Sequence, residues 1–139
     1  MSDHASFSRE AFAAFRADDR PGPVQMLNLI RLNAEAQYPD GPHGGGREAF
    51  AAYGRISAPV LARLGGRIIW RGGFEQMLIG PRGERWDICF IAEYPSVEAF
   101  AAMFRDPIYR EAMMHRQAAV RDCRLIRLAG QEAGITFAG

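Results

Sequence analysis

The chain has 139 residues, 48% hydrophobic, 11% aromatic and 24% charged, with a formal net charge of +1. That composition excludes a disordered chain and describes one ordinary domain, long enough to bury about 68% of the surface its unfolded form exposes without a disulfide or a structural metal. All seventeen basic residues are arginine, which excludes phosphate-loop lysine and Schiff-base chemistry, and sixteen acidic residues leave no excess charge to attract nucleic acid or an acidic membrane.

The N-terminal stretch from Met1 to Ala5 lacks a basic export region, and Arg9, Glu10 and Arg16 interrupt any apolar run behind it. No segment has the ~20 apolar residues needed to span a bilayer, so a cytoplasmic protein is expected. Cys89 and Cys123 each sit in an apolar run and read as buried free thiols.

Ser8 can cap a first helix through about Asp18, with Phe7, Ala11, Phe12, Ala14 and Phe15 as its apolar stripe. Arg20-Pro21-Gly22-Pro23 ends it, and residues 24–32 (VQMLNLIRL) form a strand largely apolar on both alternating sets. Residues 33–46, with two prolines and four glycines, read as a loop, Gly44-Gly45-Gly46 being a flexible part of it. A helix follows over about 47–64, with a kink or break expected near Ser57 because Pro59 removes a donor at a cost of about 3 kcal/mol.

Gly65-Gly66 stops that helix. Residues 67–79 and 85–94 then read as a hairpin, with a bulge at Gly72-Gly73 and a tight turn at Gly80-Pro81-Arg82-Gly83. Pro95-Ser96 opens another helix, Asp106-Pro107 restarts it to about Val120, and residues 123–128 form the last strand. The order after the first helix is strand, helix, strand, strand, helix, strand. This predicts an α+β, ferredoxin-like βαββαβ antiparallel sheet with its helices on one face. The chain then reads as a single domain over 1–139, with a helical extension at 1–22, a core at 24–128 and a tail at 129–139.

In the first strand Leu27 and Leu29 oppose Met26 and Ile30, and in the third Cys89 and Ile91 oppose Ile88 and Phe90, so apolar residues remain on the sheet face away from the helices. At about 25 cal/mol per Å² that exposure would cost several kcal/mol, and a homodimer through the sheet face would remove it.

Polar residues interrupt the apolar elements at Asn28, Asp87, Tyr109, His115 and Arg116. Buried polar groups without partners are expensive, so these are expected to converge on each other, on water or on a ligand. Arg116 could grip a carboxylate while Trp70, Trp86 and Tyr53 enclose an aromatic or aliphatic body. Asp87 or His115 could then act as a base in proton transfer or oxygenation. The competing reading makes Arg116 an ion-pair partner of Asp87 or Asp122, Tyr109 a helix anchor and His115 a capping or surface residue, in a non-catalytic structural or interaction module. Scattered histidines give no metal-ligand spacing, no cofactor motif occurs, and the third strand lacks the basic, aromatic pattern of RNA-binding sheets.

Met26-Leu27-Asn28-Leu29, Tyr53, Gly65-Gly66-Arg67, Trp70-Arg71-Gly72, Ile79-Gly80-Pro81, Trp86-Asp87, Tyr94-Pro95-Ser96, Asp106-Pro107-Ile108-Tyr109, His115-Arg116 and Asp122-Cys123-Arg124-Leu125-Ile126 follow one another in an order and spacing that resembles the domain of unknown function 1330 family. That family lies in the dimeric α/β-barrel superfamily, and the resemblance runs from about Val24 to Leu128. It implies a sheet-to-sheet dimer and a cleft between helices and sheet; superfamily relatives include cofactor-independent oxygenases and haem-degrading enzymes.

Overall fold

The computed structural model describes residues 4–139, so the reading of Met1 to Asp3 lies outside the described residues. In chain order the elements are α1 (Arg9–Ala17), β1 (Val24–Leu32), β2 (Glu35–Tyr38), β3 (Gly41–Gly45), α2 (Gly46–Arg63), β4 (Arg67–Gly72), β5 (Ile88–Tyr94), α3 (Val97–Met103), α4 (Pro107–Ala119) and β6 (Val120–Leu128). Strands β4-β5-β1-β6 form one antiparallel sheet. This is the ferredoxin-like order with an extra N-terminal helix. No helix among the described residues is long and apolar enough to cross a membrane.

Alternation in β1 sorts its residues between the two faces. Val24, Met26, Asn28 and Ile30 are buried toward the helices, while Gln25, Leu27, Leu29 and Arg31 are only partly covered. Val24, Met26, Ala92 and Tyr94 pack with Val60, Val97, Phe100, Met103 and Tyr109 to make the main core. Val24, Ile30, Val60 and Val97 are nearly inaccessible, each worth about 1.5–3 kcal/mol of burial. Both cysteines are buried free thiols, as their apolar surroundings predict.

On the opposite face, register places Leu27 beside Ile91 on one side and Ile126 on the other, and Trp70 beside Ile91. The result is one apolar row across all four strands. Toward one end it is bordered by a polar row in which Gln25 and Arg67 both donate to Glu93.

Three local readings are corrected. Residues 33–46 are not a plain loop: Tyr38-Pro39-Asp40-Gly41 turns the chain between β2 and β3, a Pro-Asp-Gly turn in which Gly41 takes φ +124°. The hairpin docks because Ala36 is fully buried with Ala49, Ala118 and Ala119. Gly44 and Gly45 end β3 and Gly46 opens α2, where a Cβ would lie 1.9 Å from the Asn33 carbonyl oxygen, so the backbones approach too closely for any side chain.

Helix α2 continues unbroken through Pro59. Pro59 and Arg55, whose carbonyl loses its donor, are both exposed, so water can replace the missing bond. The hairpin arms are also shorter than expected: β4 ends at Gly72 and β5 begins at Ile88. Gly72-Gly73 ends the strand instead of bulging it, and the register shift falls between Ile68 and Trp70.

Candidate functional site

Helix α4 owes its position to its cap. The Asp106 carboxylate accepts from the Ile108 and Tyr109 amides at 2.8 and 3.2 Å, and Pro107 opens the first turn. Tyr109, Met113 and Arg116 then recur at helical spacing and point toward the sheet. There they line a cavity of about 770 Å³. Met26 and Asn28 of β1, Phe90 and Tyr94 of β5, and Cys123 and Leu125 of β6 form its floor.

Helix α1 forms another wall although none of its residues is buried. Phe12 meets Phe104 edge-on at 5.5 Å between ring centroids, and Phe15 meets Phe100 at 4.9 Å. Arg127 holds the C-terminal end of α1 by donating to the Phe15 and Asp18 carbonyls at 3.2 and 2.8 Å, with its guanidinium over the Phe15 ring. Ser8 caps the other end by accepting from the Ala11 amide. The apolar stripe legible in the sequence is therefore spent on enclosing the cavity.

Four expected ligand-binding residues meet here: Asn28, Tyr53, Tyr109 and Arg116 all line the cavity. The Tyr53 and Tyr109 hydroxyls hydrogen-bond at 2.8 Å, joining α2 to α4. Burial, reinforced by Tyr53, raises the Tyr109 phenol well above its ordinary range, so it is a neutral hydroxyl at physiological pH. Tyr94 is raised as well, first by burial and then by Tyr53.

Arg116 donates to the Ala5 carbonyl at 3.3 Å and approaches the Cys123 Sγ at 3.7 Å. Burial pulls the guanidinium pKa down, but Tyr53, Cys123 and Tyr109 outweigh it and the group is held charged. Among the described residues no carboxylate stands within ion-pair distance of Arg116, whereas Asp122 pairs with Arg124 at 2.9 Å. The anticipated pairing of Arg116 with Asp87 or Asp122 is thus absent among those residues. Asn28 donates from Nδ2 to the Met26 carbonyl at 3.0 Å.

The other expected site residues lie elsewhere. Trp70 is 50% exposed on the sheet face away from the helices. Trp86 is buried under the Arg124 guanidinium, 5.1 Å from its ring centroid, outside the cavity lining. Asp87 accepts from the Leu32 amide at 2.7 Å and donates its own amide to the Ile30 carbonyl, fastening the start of β5 to β1. His115 meets the Tyr38 hydroxyl at 2.7 Å through Nδ1, on the side of α4 facing the β2–β3 hairpin. Adjacent helix positions diverge by about 100°, so His115 and Arg116 face different surroundings. Neither Asp87 nor His115 lines the cavity. Among the described residues no group of three or more His, Cys, Asp or Glu side chains stands where it could hold a metal ion.

A second cavity of about 510 Å³, bordered by Asn33, Gln37, Met114, Gln117 and Arg121, lies between the hairpin and the end of α4. The sequence reading missed Phe90, Tyr94, Phe100, Phe104 and Met113 as lining residues. Only Met113 carried a usable signal, falling on the helix face shared by Tyr109 and Arg116.

The sequence profile of the Domain of unknown function (DUF1330) family matches residues 45–130. The chain belongs to that family. A crystal structure of the methylated RPA0582 protein is 60% identical, with a TM-score of 0.94 over 97% of this chain and 100% of that one. A second crystal structure, of RPA0582 as a protein of unknown function from Rhodopseudomonas palustris, is 59% identical with a TM-score of 0.91, over 95% and 100%. A dimeric protein of unknown function with a ferredoxin-like fold, from Bacteroides fragilis, is 15% identical with a TM-score of 0.48, over 76% and 94%. No curated protein matches the chain. The DUF1330 match begins at the end of β3, so α1 and β1, which supply part of the cavity, lie outside the matched residues.

Proposed function

We propose that this DUF1330 protein binds a small organic acid with an aromatic or aliphatic body, the acid group held by Arg116 and the body enclosed by the aromatic walls. The observation that carries this reading is a charged guanidinium, half-buried in the lining of an apolar cavity, with no carboxylate partner among the described residues. A buried charge is tolerated when something neutralises it. A bound carboxylate would do so through the two-pronged geometry that arginine offers. About 770 Å³ is within the range of small-molecule sites.

The reading is of a binding protein. The bases considered for proton-transfer or oxygenase chemistry, Asp87 and His115, are engaged outside the cavity. We further propose that the working unit is a homodimer joined through the sheet face that carries Trp70, Ile91, Leu27 and Ile126, since a second copy would remove that apolar row from water.

A thermal-shift screen of aromatic and aliphatic acids against the purified protein tests the ligand. A true ligand at 100 times its dissociation constant adds about 2.7 kcal/mol. Stabilisation by acids and not by their methyl esters is expected. Equal response to acid and ester, or to neither, would return the cavity to a purely structural role.

A further inference from the structure

Asn28 is 8% exposed and stands in the cavity floor between Phe90 and Leu125, its register partners on β5 and β6. A leucine would fill the same space without burying polar atoms. The amide's orientation is fixed, because the Met26 carbonyl can only accept and so must face Nδ2. Oδ1 therefore points the other way. No described residue donates to it, yet among the described residues no fully enclosed side-chain oxygen or nitrogen lacks a partner. Oδ1 is thus open, and the space Asn28 borders is the cavity.

The cavity consequently offers two kinds of polar group. Arg116 donates, and Asn28 accepts. The sheet sets their anchor points apart. Arg116 reaches Cys123 on β6, which pairs with Ile30, and Ile30 lies two residues along β1 from Asn28. Two residues along a strand span roughly 7 Å and the neighbouring strand lies about 5 Å across, so the backbone positions of Cys123 and Asn28 are roughly 8 Å apart. A ligand satisfying both carries its hydrogen-bond donor across a ring from its acid group and not beside it.

Resting on the binding reading above, we infer that the ligand is an aromatic hydroxy acid, its carboxylate on Arg116 and a distal hydroxyl donating to Asn28 Oδ1. Asn28 is then the residue that selects hydroxylated from plain acids. A hydroxyl next to the carboxylate bonds to it internally and does not reach Asn28.

The test is calorimetric titration of the full chain with benzoate and cinnamate, each as the parent acid and as its para-hydroxy and ortho-hydroxy forms. At least one para-hydroxy acid is expected to bind about tenfold more tightly than its parent, with no such gain for the ortho isomers. Asn28→Leu brings the ratio of para-hydroxy to parent affinity to about one, whatever it does to the parent's own affinity, whereas Arg116→Met weakens binding of every acid about 100-fold. If Asn28→Leu does not fold, Asn28→Ala carries the same comparison. Parents that bind with no para-hydroxy gain, or a gain surviving loss of the amide, overturn this inference alone. Failure of every acid to bind overturns the acid-binding reading with it.

Discussion

The hydroxyls of Tyr53 and Tyr109, on separate helices and 56 positions apart in the chain, share a hydrogen bond of 2.8 Å at the edge of the cavity. The bond clamps α2 to α4 and fixes the wall from which Arg116 projects. Removing either hydroxyl by Tyr53→Phe or Tyr109→Phe is expected to lower stability by about 1 kcal/mol. The double replacement should fall well short of the sum, because neither hydroxyl is then left without its partner. Urea denaturation of the four proteins measures the coupling, and strict additivity would show the bond to be energetically idle.

Arg116→Met should separate binding from stability. A methionine of similar reach removes a partly buried charge, so the melting temperature is expected to stay level or rise. Affinity for organic acids should drop about 100-fold, the loss of a charge-assisted pair worth roughly 2–3 kcal/mol. A collapse in melting temperature without any ligand effect would favour the structural reading of the polar cluster.

Asp87→Ala and His115→Ala should behave in the opposite way. Asp87 holds the Leu32 amide and His115 meets the Tyr38 hydroxyl, so both replacements are expected to lower stability, Asp87→Ala by about 1.5–3 kcal/mol. Acid affinity, measured on the folded fraction, should be unchanged. A tenfold or greater loss of affinity in either variant would place that side chain at the ligand after all.

Leu27→Arg or Ile126→Arg puts a charge into the apolar row on the sheet face without touching the cavity floor. The native chain is expected to run as a dimer by light scattering at micromolar concentration and either variant as a folded monomer. A native chain that is already monomeric at that concentration sinks the proposed assembly.

Asp106 makes stability depend on acid. Partial burial resists its ionisation, but the Tyr109 and Ile108 amides and Arg63 prevail, and its pKa is lowered. A carboxylate with a depressed folded pKa stabilises fully above its unfolded value, near ~3.9, and loses that contribution as pH falls through the folded value. Asp106→Ala should therefore lower the melting temperature clearly at pH 7 and progressively less below about pH 4. A melting-temperature deficit that stays constant across that range would mean that the charge contributes nothing to the cap.

The sequence by itself determined the βαββαβ order, the capping of α1, α3 and α4 by Ser8, Ser96 and Asp106, and the apolar character of both sheet faces. These follow from period, capping chemistry and alternation, all of which act over a few neighbouring residues. It also marked Asn28, Tyr109 and Arg116 as polar groups in apolar surroundings, and all three line one cavity. The β2–β3 hairpin reads as a loop, although Tyr38-Pro39-Asp40-Gly41 carries its own turn chemistry, because its arms are too short to establish a strand's alternation and the second is glycine-rich.

Only the tertiary structure decided which polar groups share a surface. Asp87 and His115 carry the same local signal as Asn28 and Arg116, yet their partners are the Leu32 amide, 55 positions away, and the Tyr38 hydroxyl, 77 positions away. Trp70 and Trp86 look alike in a strand-rich stretch, but strand pairing and a cation over the ring send them elsewhere. The cavity is closed by an N-terminal helix packing on α3 through Phe12, Phe15, Phe100 and Phe104. Such contacts join residues far apart in the chain, and periodicity within one element carries no information about which face of another it will meet.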